Sequence, residues 1–169
     1  TNLAGKNPTD FKSEFMAARA VLLRTSNLLI LAIVYWINLK LFAEITYYVK
    51  NMKIDGEKVE DTDDLLYYLD GQLGIIARHL DEEVFNNVLL SRMWKASLFD
   101  ITEILMKEIS GGKKMATSAT CKKCNDVLQE LRGYFNANGA GISLELLDKD
   151  TNELFQRILE LENKAASKS

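Results

Sequence analysis

The distribution of proline is the feature that most constrains how this chain can fold. Its only proline, Pro8, lies near the start of a sequence of 169 residues. Proline lacks an amide hydrogen and clashes with the preceding turn, so it breaks the interior of a helix. Its absence after position 8 permits long helices, and residues 8–165 show no sustained alternation of period two. We therefore predict an all-α fold.

Composition bounds the class of protein. Apolar residues make up 47% of the chain, which suits one domain with a hydrophobic core. The net charge is −3, which argues against a nucleic-acid-binding domain. We expect a single helical domain over residues 1–169, with residues 1–7 and 166–169 disordered or foreign to the natural protein.

Hydrophobic periodicity predicts an elongated, antiparallel bundle of about six helices. Residues 8–53 follow helical spacing, and the polar stretch at residues 24–27 leaves open whether they form one helix or two. An acidic connector, residues 54–64, separates them from a helix that ends near residue 80. Asp81 is expected to cap a long helix to residue 109, and another helix follows from about residue 115 to 135. Two last helices are predicted over residues 143–148 and 150–165.

The run LLILAIVYWI, residues 28–37, raises the question of a membrane span. It is shorter than the roughly 20 apolar residues that a spanning helix needs, and Asn38, Lys40 and Glu44 interrupt its continuation. A helix that is apolar on all sides is typical of one enclosed by neighbouring helices. We therefore predict a buried core helix here, and a cytoplasmic protein that is at most peripheral to membranes.

Few residues match the motifs of catalytic, metal-binding or phosphate-binding sites. Cys121 and Cys124 form a C-x-x-C pair, but a structural zinc needs four ligands and the chain has one histidine, His79. Both cysteines continue an apolar stripe and are predicted to be buried without metal. Trp94 is predicted to be a core anchor.

The segment NANGAGI lacks the lysine and the preceding strand of phosphate loops, so Asn138 and Gly139 are expected to end a helix. We predict no enzyme, no cofactor, no small-molecule substrate and no nucleic-acid partner.

One cluster of positive charge stands out around the predicted connector near residue 112. Lysines there outnumber acids, and a basic loop of this kind can touch an anionic membrane or an acidic partner at about 1 kcal/mol per lysine near a lipid surface. The alternative is an ordinary solvated loop. The candidate contact residues are Lys107, Lys113, Lys114, Lys122 and Lys123.

Two segments resemble a known family. Residues 65–105, LLYYLDGQLGIIARHLDEEVFNNVLLSRMWKASLFDITEIL, resemble the second homology domain of the Munc-thirteen (Unc-thirteen) family. Residues 134–159, YFNANGAGISLELLDKDTNELFQRIL, are similar to the closing segment of that family, although Gly141-Ile142 replaces the commoner Gly-Leu. The matching positions are Leu69-Asp70, Leu73, Val88-Leu89 and Trp94 in the first segment, and Tyr134-Phe135, Gly139, Gly141-Ile142 and Leu144 in the second.

The resemblance implies the C-terminal part of the MUN region, an elongated helical rod similar in build to subunits of vesicle-tethering complexes. It implies a role in vesicle priming during exocytosis, in which the rod binds SNARE proteins or other fusion machinery and performs no catalysis. The alternative is a helical scaffold or dimerisation domain, linked to the cytoskeleton, with no SNARE partner. We expect exposed polar faces to carry the binding, and an anionic membrane surface to be an auxiliary contact.

Overall fold

The computed structural model describes residues 8–51, 63–110 and 114–166, and the side chains of residues 11–50, 63–107 and 120–156. The described backbone is helical with short turns and contains no strand, which confirms the all-α prediction. The long helices are α1 (Pro8–Asn51), α2 (Asp63–Ala77), α4 (Ser91–Ser110), α5 (Lys114–Asn136) and α6 (Leu144–Ala166), and a short α3 (Glu82–Val84) precedes α4.

The first helix is a single element of 44 residues. At 1.5 Å per residue it is about 66 Å long, well above the length of an average helix. The polar residues at its centre do not interrupt it, and the hydroxyl of Thr25 donates to the carbonyl of Val21 at 3.0 Å within the helix. The question of one helix or two over residues 8–53 is thus settled as one helix over the described part.

The third and fourth helices form one continuous helical segment with a π-helical turn between them. Asp81 begins it as predicted, because its carboxylate accepts hydrogen bonds from the amides of Glu83 at 2.9 Å and Val84 at 3.4 Å. The π-helical turn, Phe85–Leu90, follows immediately and leads into α4. Such a turn shifts the register of the buried stripe by one residue, which the sequence periodicity did not indicate.

The last two predicted helices are one helix, and their separation was wrong. Thr151, two residues after the expected break at residue 149, is buried and donates its hydroxyl to the carbonyl of Leu147 at 2.7 Å. Leu147 and Leu154 are both buried seven residues apart on one face. Burial of that face stabilises a continuous helix, so Asp150 and Glu153 lie inside α6 and cap nothing. Ser143 caps the start, as its hydroxyl accepts from the Leu146 amide at 3.4 Å.

The core is built around α4, which packs against α1, α5 and α6. Trp94 is fully buried at its centre, as predicted, and its ring meets Phe135 of α5 edge-on with ring centroids 5.8 Å apart. Cys124 is buried and Cys121 half-buried on the stripe of α5 that carries Leu128. The second helix packs on α1, and the phenol of Tyr68 donates to the carbonyl of Ile37 at 3.2 Å.

A tight corner joins α5 to α6. The backbone adopts positive φ angles at Ala137 (45°), Asn138 (54°) and Gly139 (91°), so the predicted helix end at Asn138 and Gly139 is confirmed and begins one residue earlier. The amide of Ile142 donates to the carbonyl of Phe135 at 2.8 Å, which satisfies one carbonyl of the last turn of α5. The corner also buries Ile142.

Candidate interaction surface

The N-terminal half of α1 extends beyond the bundle. All described side chains of residues 11–29 are exposed, and Ile30 is the first buried one. The helix joins the bundle through one face only, which carries Ile30, Val34, Ile37, Leu41, Ile45 and Val49. The prediction that residues 28–37 are enclosed by neighbouring helices was therefore wrong, because α2, α4 and α5 cover a single side of α1.

Arg92 marks the place where α1 leaves the bundle. Its guanidinium donates to the side-chain oxygen of Asn27 at 3.1 Å and lies 3.5 Å from the carbonyl of the same residue. These contacts join the start of α4 to the middle of α1, one turn before the first buried residue. Two kinds of contact therefore hold α1 where it leaves the bundle. Arg92 binds Asn27, and the buried side chains from Ile30 onward pack against the other helices.

A row of exposed apolar side chains, which we call the α1 stripe, runs along the projecting half and continues onto the packed half of α1: Phe15, Leu22, Leu29 and Trp36. Each is more than 60% exposed, and Trp36 reaches 73%. Successive members are seven residues apart, and Phe11 and Ala18 complete the spacing of four and three residues on the same face. Seven-residue spacing of apolar side chains is the pattern by which helices pack along one another.

Charged side chains border the α1 stripe unequally. Lys12 and Arg19 lie along one edge and are exposed, and Glu14 lies along the other. At 100° per residue, Lys12 and Arg19 are both about a quarter-turn from the stripe's axis. Arg24 adds a further exposed cation to the projecting half. Among the described side chains of this half, three cations accompany one acid, and the sequence adds a second acid, Asp10, in the first turn of α1.

The α1 stripe continues into a cleft between α1 and α2 with a volume of about 360 Å³. Lys40 and Glu44 follow Trp36 on the same face of α1 and form one wall. The ammonium of Lys40 lies 4.6 Å from the centroid of the Tyr68 ring, a cation–π contact between two residues that line the cleft. Burial, with the negative charge of Glu44, raises the pKa of Tyr68 above its ordinary value. The lining residues are Lys40, Glu44, Asp64, Tyr67, Tyr68, Gly71 and Gln72.

The predicted lysine cluster does not form one exposed patch in the described residues. Lys123 is buried and donates to the carbonyl of Val49 at 2.8 Å, so its assignment as a surface contact was wrong. Lys107 is exposed, pairs with Glu103 at 3.2 Å and lies 5.4 Å from the centroid of the Phe42 ring. Lys122 is exposed. Lys113 and the side chain of Lys114 lie outside the described residues.

A buried polar pair lies between α1 and α4. Asp100 is 5% exposed, and its carboxylate accepts a hydrogen bond from Asn38. Burial raises the pKa of Asp100 to about 6, partly opposed by that hydrogen bond and assisted by the negative charge of Glu103. Within the described part of the chain, the Oδ2 of Asp100 and the Oδ1 of Asn38 have no hydrogen-bond partner.

The described side chains show no cluster suited to metal binding. No group of three or more His, Cys, Asp or Glu is placed to hold a metal ion there. His79 lies exposed in the turn after α2. By length and composition alone, α1 between Phe11 and Lys50 could cross a membrane, a test that core helices of soluble proteins also pass.

The sequence contained a signal for the α1 stripe that the core interpretation missed. Apolar residues all round residues 28–37 need helices on every side, yet the rest of the chain supplies few helices, and α5 and α6 also pack on α4. An excess of apolar faces over available partners indicates an exposed surface. The cleft and the Asn38–Asp100 pair had no signal, because they join residues distant in the sequence.

Comparison with known proteins identifies a relative in a yeast. Over 123 residues, 68% of its length, the chain is 31% identical to a protein of Schizosaccharomyces pombe that is described only as the uncharacterized protein C11E3.02c. The match covers 10% of that protein, so the chain spans about a tenth of its relative's length. No family model matches the chain. No solved structure matches it either.

Proposed function

We propose that this chain is a non-catalytic protein-interaction module of a vesicle-priming or tethering protein, and that it binds SNARE proteins or related fusion machinery. The observation that carries the proposal is the projecting half of α1, whose apolar side chains are exposed along a row that suits another helix. Large exposed apolar surfaces mark sites at which proteins bind other molecules. The proposed location is the cytoplasm, peripheral to membranes.

The resemblance to the Munc-thirteen (Unc-thirteen) family supports the choice of partner. Its first segment contributes Leu69, Leu73 and Trp94 to the core, and its second segment forms the corner between α5 and α6. Several of the positions that carry the resemblance therefore lie in the core, whereas Asp70 and Leu144 are exposed. In this proposal the domain belongs to an elongated, antiparallel rod of the kind found in tethering-complex subunits, and the length of α1 supports that shape.

The main contact with the partner lies on the α1 stripe in this proposal, whereas the sequence had led us to expect it on the exposed polar faces. Large apolar side chains that are fully desolvated in a complex supply most binding energy, and charged rims mainly affect association rate and salt dependence. Lys107 and Lys122, with Lys113 and Lys114, stay as an auxiliary contact to acidic partners or an anionic membrane. Binding through the lysines weakens as salt rises, and binding through the stripe depends little on salt.

The test is binding of the folded domain to purified SNARE bundles at low and at physiological salt. We expect binding under both conditions, and its loss in the double variant Leu22→Ser with Leu29→Ser. The variant Lys122→Glu is the matched control for the auxiliary contact, and it should affect binding mainly at low salt. Absence of binding in both buffers, with a normal circular dichroism spectrum, would refute the SNARE partner.

A scaffold or dimerisation domain is the second candidate function. The seven-residue spacing of the α1 stripe favours it, because this spacing also occurs in helices that pair with their own copies. Sedimentation of the domain alone distinguishes the two functions. A dimer that dissociates in the Leu22→Ser, Leu29→Ser variant, together with no SNARE binding, would favour the scaffold.

A further inference from the structure

We propose that Asn38 and Asp100 form a proton-operated latch between α1 and α4. With a proton on Asp100 the two side chains share two hydrogen bonds. Without that proton they share one, and α1 loosens on α4 around Asn38. The latch is a conformational device of the fold, and it does not depend on which partner the domain binds.

The pair lies in the middle of the interface between α1 and α4. Asp100 is 5% exposed, and Asn38 is half-buried between Ile37 and Leu41, two members of the face of α1 that packs on the bundle. A carboxylate in such a place loses its hydration, and this loss is costly unless its oxygens are paired. The interface therefore contains a group whose negative charge opposes packing.

Each side chain of the pair keeps one oxygen without a donor. The carboxylate of Asp100 accepts a hydrogen bond from Asn38, which brings the two planar groups together. The Oδ2 of Asp100 and the Oδ1 of Asn38 are buried and have no partner among the described residues. An ionised carboxylate and an amide oxygen only accept, whereas a protonated carboxyl donates through its O–H. One proton on Oδ2, donated to Oδ1 of Asn38, therefore satisfies both oxygens.

The hydroxyl groups next to Asp100 on α4 are already used within that helix. Ser97 donates to the carbonyl of Met93 at 3.0 Å, and Thr102 donates to the carbonyl of Leu98 at 2.7 Å. A proton on Asp100 is thus the donor that the pair itself can supply. A water molecule shared by the two oxygens would satisfy them at any pH, so the two donors differ in their dependence on pH.

The charges of α4 and α1 near Asp100 favour the proton. Burial, with the negative charge of Glu103 one turn along α4, raises the pKa of Asp100 to about 6 against the effect of the hydrogen bond in the pair. The cation beside it on α4, Lys107, pairs with Glu103 at 3.2 Å. On α1, the ammonium of Lys40 lies over the ring of Tyr68 in α2.

The helices α5 and α6 bring no compensating cation in the described part of the chain. Lys123 donates to the carbonyl of Val49 at 2.8 Å, and Arg132 of α5 pairs with Asp148 of α6 at 2.6 Å. No described cation of α1, α5 or α6 lowers the pKa of Asp100. Packing of α1 on α4 raises the affinity of Asp100 for a proton, so a proton favours packing. The latch therefore closes as pH falls through about 6 and opens as pH rises.

Opening of the latch affects the middle of the packed half of α1. Other contacts hold that half near its two ends, because Arg92 binds Asn27 at 3.1 Å and Lys123 donates to Val49. Neither contact involves a group that titrates near pH 6. We therefore expect local opening around residues 34–45 and no general unfolding.

Nuclear magnetic resonance of the whole chain follows the proton. In a titration from about pH 4 to 8, the carboxyl carbon of Asp100 and the side-chain amide of Asn38 should change with one midpoint near pH 6, since one proton governs both groups. Asn38→Asp places a second carboxyl beside the first and should raise the midpoint by about one pH unit or more. Glu103→Gln removes the neighbouring negative charge and should lower the midpoint by less than about one unit.

Hydrogen exchange of the backbone amides measures the loosening. After correction for intrinsic rates, residues 34–45 should exchange about ten-fold faster at about pH 8 than at about pH 5, and residues 144–156 of α6 should change by less than about two-fold. Asp100→Asn keeps a donor for the Asn38 oxygen at every pH. In this variant the difference between the two pH values should disappear from residues 34–45.

Three results would overturn the latch. They are an ordinary pKa for Asp100, an Asn38 amide signal that stays constant while Asp100 titrates, and equal pH dependence of α1 exchange in the parent chain and Asp100→Asn. The second result would assign the two oxygens to a shared water. If Asp100→Asn does not fold, Asn38→Asp and Glu103→Gln decide the matter, because they keep Asp100 and should move the midpoint of α1 exchange in opposite directions.

Discussion

At the scale of single residues, two positions show how local geometry restricts this chain. Gly141 lies at the corner after α5, where a Cβ would stand 2.2 Å from the carbonyl oxygen of Phe135. Trp94 occupies the centre of the core with its indole nitrogen unpartnered among the described residues. A side chain at position 141 therefore forces the Phe135 carbonyl to move, and the large Trp94 side chain fills the centre of the core.

Gly141→Ala should lower the free energy of unfolding by roughly 2–4 kcal/mol, because the Phe135 carbonyl must move and its hydrogen bond with Ile142 must weaken. Gly133→Ala is the matched control. Gly133 lies inside α5 with nothing near its added Cβ, so alanine there should stabilise by about 0.5–1 kcal/mol. Urea titration of both variants measures the difference, and equal effects would contradict the close approach at Gly141.

Trp94→Ala should cost about 3–5 kcal/mol of unfolding free energy, the range for large-to-small changes in a packed core. Trp94→Phe should cost less, since it keeps an aromatic ring against Phe135 and removes the unpartnered indole N–H. Thermal and denaturant unfolding followed by circular dichroism test the order of the two variants. A negligible loss on truncation to alanine would mean that Trp94 is not in the core.

At the scale of elements, two polar contacts link α1 to the helices that pack on it. Lys123 of α5 reaches the Val49 carbonyl near the C-terminal end of α1, where carbonyl groups lack intrahelical partners. Asp100 of α4 meets Asn38 near the middle of α1. The first contact stabilises the end of a helix, and the second makes the α1–α4 interface sensitive to pH.

Lys123→Met should destabilise the fold by about 1–2 kcal/mol, because methionine keeps much of the apolar stem and leaves the Val49 carbonyl without its charged donor. Lys122→Met, one residue earlier and exposed, should be close to neutral. Comparing the two midpoints of urea unfolding separates the buried contact from a general effect of lost charge.

The contribution of Asp100 to stability should fall as pH rises from about 4 to above 6. The pKa of Asp100 is raised from 3.8 to about 6 in the folded chain, so folding favours the protonated carboxyl. That contribution is fully present below the unfolded-state pKa and is lost as pH rises through the folded-state pKa, by about 2–3 kcal/mol for this group. Asp100→Asn should remove this part of the slope and raise stability at pH 7, because its amide can donate to the Asn38 oxygen.

Urea titrations at several pH values measure this slope, with Glu130→Gln, an exposed acid on α5, as the control. Other carboxyl groups add their own slopes, so the difference between the parent chain and Asp100→Asn is the decisive quantity. An identical pH profile in the two proteins would show that Asp100 has an ordinary pKa.

At the scale of the whole molecule, the length of α1 determines the expected shape. A compact protein of 169 residues has a radius of gyration of about 15 Å, whereas α1 alone is about 66 Å long. Small-angle scattering at low concentration should therefore give a radius above the compact value and a long tail in the distance distribution. A profile that fits a sphere of this mass would contradict the projecting half of α1.

The sequence alone determined the class of structure and several of the helix ends. The lack of proline and the helical spacing of apolar residues suffice for an all-α fold, since both act within a few residues. The Asp81 cap and the left-handed residues at Asn138 and Gly139 are equally local, and so is the position of Trp94 in the middle of an apolar stripe.

Only the tertiary structure decided which apolar residues are buried and which lysines are accessible. Leu29 and Ile30 are adjacent and equally apolar, yet one is exposed and the other is covered, because the neighbouring helices reach only one face of α1. Lys122 and Lys123 differ in the same way, since only Lys123 points to the Val49 carbonyl 74 residues away along the chain. Burial is a property of distant segments that meet in space, and periodicity within one helix carries no information on how many partners that helix finds.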